Sequence, residues 1–165
     1  MGDYDTLLQT LLQQEDTLQF TRFSNETALE IGLALLKGAE TKGKPVTIDI
    51  TRYAQQLFHY AMDGTSADND EWIKRKINVV RRFGHSSYYL GIQLKNSGQT
   101  IEQKYLVSER DYAAHGGSFP LIIRNVGIVG TVTVSGLPQA EDHELVVETL
   151  RAFLEREHAT TSQVP

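Results

Sequence analysis

Ile128-Val129-Gly130-Thr131-Val132-Thr133-Val134-Ser135 is the stretch that decides the fold class. Val129, Thr131, Val132, Thr133 and Val134 are β-branched residues that favour a pleated, half-buried surface over a helix. Just upstream, the Gly116-Gly117 turn leads into Phe119–Arg124, which reads as the preceding strand. A second pair lies nearer the N-terminus. Val46, Ile48 and Ile50 alternate with Thr47, Asp49 and Thr51, the period-two pattern of a half-buried strand. Gln56–Met62 is its expected hairpin partner, reached by a turn near Arg52–Gln55. With a short extended piece over Thr17–Arg22, the expected total is about five strands.

Helical stripes fill the rest. Leu7, Leu8, Leu11 and Leu12 mark a first helix over Asp3–Asp16. Ser24 is placed to cap a second, apolar over most of its circumference, which Gly43 and Pro45 stop. Trp72, Ile73, Ile77 and Val80 give the inner face of a third helix over Asp68–Phe83, ended by Gly84. Ser86 caps a fourth, Thr100–Tyr105 reads as a short fifth, and Ala140–His158 as the last, with Val146, Val147, Leu150, Phe153 and Leu154 inward. Hairpins with helices bunched between them and at both ends predict an α+β domain with an antiparallel sheet, not a doubly wound one. No linker or repeat divides the chain, so residues 1–165 read as a single domain. Its parts are an N-terminal helix and short strand (1–23), a core (24–158) and a frayed tail (159–165).

Composition narrows the function classes. The 165 residues hold no cysteine, which excludes disulfide frameworks, thiolate metal centres and thiol nucleophiles. A net charge of −5 argues against a duplex nucleic-acid binder. No apolar run is long enough for a membrane span, and the N-terminus lacks a secretion pattern. The expected location is the cytoplasm.

Three histidines stand at element boundaries, where folds display working groups. They are His85 after Gly84, His115 before Gly116-Gly117, and His143 after Glu141-Asp142. Imidazole is the commonest protein metal ligand, so all three are candidate ligands, although their spacing matches no zinc signature. Capping and loop hydrogen bonding is the structural alternative for each. Trp72–Arg82 contains five Lys/Arg and no acid. Arg75 and Arg82, seven apart, share a helix face able to meet an anionic ligand such as haem propionates; a solvated face, or pairing with an acidic neighbour, is the alternative. His115-Gly116-Gly117 allows close backbone approach to a ligand. Val134-Ser135-Gly136-Leu137 lacks the first glycine of a hydrolase elbow, and Asp68-Asn69-Asp70 fits capping better than a calcium loop.

Several ordered blocks resemble the short branch of the haem-degrading-domain family, GlcG-like and HbpS-like. They are Leu57–Thr65, Trp72-Ile73 with Arg75-Lys76, Arg82-Phe83-Gly84-His85-Ser86-Ser87, Tyr112–Pro120, and Gly130–Gln139 with Glu141-Asp142-His143. The resemblance spans roughly residues 24–156. It implies a profilin-like α/β/α domain and symmetric homo-oligomers, from dimers to rings. It also implies a small-molecule ligand, with haem or iron as cofactor. Without cysteine, His, Tyr or Met is left as axial ligand. Three readings follow. One is a haem or small-ligand binder using His85, His115 or His143 with Arg75 and Arg82. Another is a non-enzymatic oligomeric scaffold. The third is a metal-dependent enzyme using the three histidines with Asp142 or Asp68.

Overall fold

The computed structural model describes residues 2–162. In chain order the elements are α1 (Asp3–Thr17), α2 (Asn25–Lys42), β1 (Thr47–Arg52), β2 (Gln55–Ala61), α3 (Ala67–Phe83), α4 (Ser87–Ser97), α5 (Ile101–Tyr105), β3 (Ser118–Ile123), β4 (Gly127–Ser135) and α6 (Gln139–Ser162). The strands form one antiparallel sheet in the order β2-β1-β4-β3. The decisive stretch is thus a central strand, paired on both sides.

Alternation in β1 and β4 gives the sheet two unlike faces. Ile48 lies opposite Val134 and Ile50 opposite Val132. These four are fully buried, in one cluster with Ile31 and Leu35 of α2 and Val146 and Leu150 of α6. Each such side chain stabilises the fold by about 1.5–3 kcal/mol through burial. The other face carries Thr47, Asp49 and Thr51 of β1 opposite Ser135, Thr133 and Thr131 of β4. All six are buried as well, beneath α3, so the sheet is polar on its α3 side. Some of these groups pair: Ser118 Oγ and Thr133 Oγ1 are 2.9 Å apart, and Thr51 Oγ1 donates to Asp49 Oδ1 at 2.7 Å, whereas the Thr47 and Thr131 hydroxyls have no hydrogen-bond partner. A second cluster, Val79, Leu90, Leu94, Ile101 and Val107, joins α3, α4 and α5.

The helix caps follow the sequence. Ser24 Oγ accepts from Thr27 N–H at 3.1 Å and Ser86 Oγ from Tyr89 N–H at 3.2 Å, each satisfying an otherwise orphaned donor. Gly43, Gly84 and Gly98 close α2, α3 and α4 in the left-handed region.

Two expectations need correction. The sheet has four strands, not five. Thr17 ends α1, where its hydroxyl donates back to the Gln13 carbonyl at 2.9 Å. Only Phe20 then meets the sheet, in a single parallel bridge to Ile123. Two backbone hydrogen bonds, Phe20 N–H to the Ile122 carbonyl and Arg124 N–H to the Phe20 carbonyl, both 2.8 Å, make that contact. The last helix continues past His158 to Ser162, so 159–162 are helical. The rest of the expected tail, 163–165, lies outside the described residues.

Candidate functional site

The polar face of the sheet ends in a cavity of about 310 Å³ where α3, β4 and α6 meet. Asp68, Asn69, Trp72 and Lys76 line it from α3, Ser135 from β4, Gln139 and Asp142 from α6, and His115 from the loop before β3. Trp72 and His115 also border a second cleft of about 390 Å³, walled by Arg75, Leu94, Lys95, Ile101, Tyr112, Ala113 and Ala114. The His115 ring stands edge-on to Trp72 with centroids 5.4 Å apart. The Arg75 guanidinium lies 4.2 Å from the Trp72 ring centre, a cation–π contact.

Beneath the first cavity is a buried ion pair. Lys76 Nζ donates to Asp142 Oδ2 at 3.1 Å and to the Val134 carbonyl at 3.2 Å. Asp142 also accepts from Leu137 N–H at 2.9 Å and Gly136 N–H at 3.4 Å. The two side chains are 4% and 2% exposed. Burial lowers the Lys76 amine and raises the Asp142 carboxyl, each against the pull of the opposite charge. Their hydrogen bonds tie α3, β4 and α6 together at the cavity floor.

The glycines of the His-Gly-Gly turn serve this packing. A side chain at Gly116 would collide with the Gln139 carbonyl, and one at Gly117 with the Val134 carbonyl and Lys76 Nζ. Gly117 also has φ 140°, a conformation L side chains rarely adopt. Gly116 N–H donates to Gln139 Oε1 at 3.1 Å, fixing His115 beside the start of α6.

The other predicted residues lie elsewhere. Nδ1 of His85 is 2.8 Å from Oε2 of the buried Glu15, whose Oε1 accepts Ser86 N–H at 2.6 Å. That network anchors the end of α1 to the start of α4. His143 is 4% exposed. Its Nε2 lies 2.8 Å from Gln14 Oε1, and Tyr88 and Phe119 flank its ring. Burial lowers its pKa to about 4. Arg82 stacks on Phe83 and Tyr112 and does not line the cleft. Of the predicted set, then, His115 and Arg75 line one cleft, while Gly116 and Gly117 pack the turn behind His115 against Gln139 and Val134. His85, His143 and Arg82 do not join them. Among the described residues no group of three His, Asp or Glu side chains is placed to hold a metal ion.

Lys76 and Trp72 were missed as site residues. Charge counting puts Lys76 in the positive stripe, but it falls in the helical register of Ile73, Ile77 and Val80, which points it inward. A lysine inside an apolar stripe was the available signal. Asn69, a capping residue, reaches the same place: its side-chain amide donates to Ser135 Oγ at 3.3 Å.

His115 has an exposed surface, but Trp72 shields its ring. Desolvation, followed by the fields of Lys76 and Lys95, lowers its pKa, so at neutral pH the imidazole is uncharged and keeps a lone pair. The cleft thus combines a neutral nitrogen donor, the cations Arg75 and Lys95, and a wall including Leu94, Ile101 and Tyr112.

Comparison with known proteins gives a consistent picture. Residues 23–151 match the model of a family described as haem degrading protein HbpS-like. A UPF0303 protein of Psychromonas ingrahamii is 51% identical over 143 residues, covering 87% of this chain and 90% of that protein. One from Streptomyces coelicolor is 50% identical over 144 residues, covering 87% and 91%. The crystal structure of the Ybr137w protein superimposes with a TM-score of 0.86 at 34% identity, covering 91% of this chain and 88% of that one. A PduOC–haem complex shares the fold, with a TM-score of 0.65 at 16% identity, covering 79% and 94%.

Proposed function

Because the chain belongs to the HbpS-like haem-degrading protein family, we propose that it is a small-ligand-binding protein that takes haem in the cleft between α3 and α4. In this reading His115 would hold the iron through a ring nitrogen, and Arg75 and Lys95 would pair with the carboxylates of the haem. One observation carries it: of the three candidate histidines, only His115 offers a neutral imidazole on an open cleft that also holds Arg75. Nε2 of His143 is engaged with Gln14 in the interior, and Glu15 holds His85. When bound, haem supplies redox-active iron; the chain supplies a nitrogen donor, cations and an apolar wall. A hemin titration tests the reading. A saturable red-shifted Soret band is expected for the unaltered protein and its loss in His115→Ala, with Arg82→Ala unchanged. No shift, or an undiminished one in His115→Ala, sinks it.

Self-association is a second, compatible reading, favoured by one surface feature. Leu29 and Leu33 of α2 are 50% and 52% exposed and one helical turn apart, an apolar pair facing away from the core. A copy of the same chain would cover it in a symmetric assembly. Light scattering after size exclusion is expected to give a mass above that of one chain, reduced in Leu29→Glu/Leu33→Glu. A monomer before substitution rejects this reading.

A further inference from the structure

We propose that the outer edge of β2 is the seam of a two-fold dimer, in which a second copy of the chain extends the sheet and α2 packs against its own counterpart. The inference deepens the self-association reading and rests on it. β2 ends the sheet on one side, and among the described residues no strand pairs with its far edge. The opposite edge strand, β3, is met by the Phe20 bridge. Met62 N–H donates to the Val46 carbonyl at 3.1 Å. Hydrogen-bonded and non-hydrogen-bonded pairs alternate along an antiparallel ladder, so Tyr60 and Phe58 bond inward to their partners Ile48 and Ile50. His59 and Ala61 therefore turn their N–H and C=O groups outward. Proteins usually blunt such an edge with charges or proline. Leu57-Phe58-His59-Tyr60-Ala61 contains no Lys, Arg, Asp, Glu or Pro, and the bulge of this ladder lies before Phe58. The edge is thus an open template for another strand.

Self-complementarity selects a second copy as the occupant. With His59 opposite His59 of the other copy, Phe58 stands opposite the other Tyr60. Those are non-hydrogen-bonded positions, where cross-strand side chains come closest and aromatic pairs are favourable. Both rings lie on the α2 side of the sheet, because Ile50 and Ile48 belong to the cluster beneath α2, and Tyr60 is 46% exposed. On α2 itself, Glu30 and Lys37 are exposed alongside Leu29 and Leu33. Glu30 and Lys37 stand three positions either side of Leu33-Ala34. An antiparallel crossing about that point sets each Glu30 against Lys37 of the other copy, with the leucines between them. A side chain at Gly32 would meet the Phe58 ring, so this part of α2 lies over the regular part of β2. One two-fold axis then serves both strand and helix. A foreign strand would meet the backbone edge without these charge pairs.

The chain has no cysteine, so a single introduced one reports the seam. In His59→Cys the two Cα atoms would stand about 5.5 Å apart across the axis, inside the roughly 4.4–6.8 Å that a disulfide spans. Mild oxidation of the full chain is expected to yield a covalent dimer on non-reducing electrophoresis, well ahead of Arg110→Cys, which lies away from the seam. Analytical ultracentrifugation is the second measurement. Lys37→Glu is expected to raise the dimer dissociation constant by about tenfold or more, and Glu30→Lys/Lys37→Glu to restore it. Positions 30, 37 and 59 are exposed, so the variants are expected to fold, which circular dichroism checks. A monomeric unaltered protein overturns this proposal together with the self-association reading. An assembly that persists while His59→Cys cross-links no faster than Arg110→Cys, or that Lys37→Glu leaves unweakened, overturns the seam alone.

Discussion

Replacing Asp142 with Ala is expected to destabilise the protein by about 3–5 kcal/mol, because it strands a buried charge. Lys76 Nζ would keep only the Val134 carbonyl as a partner, with a side chain 4% exposed. The Gly136 and Leu137 N–H groups would lose their acceptor too, loosening the turn that leads into α6. The comparison that isolates the charge is Lys76→Met/Asp142→Leu. Removing both partners spares the desolvation cost of the survivor, so the double variant should be more stable than Asp142→Ala alone. Urea unfolding monitored by Trp72 fluorescence gives the numbers. A loss under about 1 kcal/mol for Asp142→Ala would show that the stranded amine is solvated from the adjoining cavity and would contradict the prediction.

Acid is expected to produce the other large effect, through His143. Its imidazole titrates at about 4 in the folded chain against an ordinary 6.5. Between those values the unfolded chain takes up a proton that the folded chain refuses. The folded state therefore loses stability as pH falls from 6.5 toward 4, and the loss is complete below 4. A gap of about 2.5 units at 1.36 kcal/mol each gives roughly 3 kcal/mol. Glu15 and Asp142 act in the opposite sense: burial raises both carboxyls, so their penalty is relieved as pH falls. The measurement is accordingly the difference between the unaltered protein and His143→Gln, each unfolded in urea at several pH values between 7 and 4. Parallel stability curves for the two would contradict the burial of a neutral imidazole.

These two side chains are neighbours in sequence, yet they were legible to different degrees. His143 is singled out in the sequence as a candidate metal or haem ligand at an element boundary. The structure buries it against Gln14 instead, a partner not foreseeable because it lies 129 residues away. Asp142 was read only as an optional carboxylate beside a metal. Its role depends on Lys76, 66 residues distant, and Lys76 was itself hidden inside a run of basic residues that looked solvent-facing. The helical register with Ile73 and Ile77 held the hint, and counting charges without the register lost it.

The strand error has a similar cause. Leu18 and Phe20 are both buried, as alternation suggested, but the segment joins the sheet only at Phe20. Alternation reports which side chains face inward; it does not report how many backbone groups find ladder partners.

What the sequence determined by itself was local in origin: helices from their apolar stripes, caps at Ser24 and Ser86, glycine stops, and hairpins from β-branched runs. Those signals rest on interactions within a few residues, so an α+β domain with an antiparallel sheet could be read directly. Tertiary structure alone decided which chemistry-bearing residues meet. It drew His115 and Arg75 to one cleft, set His85 and His143 against consecutive α1 residues, Glu15 and Gln14, and buried Lys76 against Asp142. Burial and long-range pairing set the charge state of each group, and neither is written in the spacing of residues along the chain.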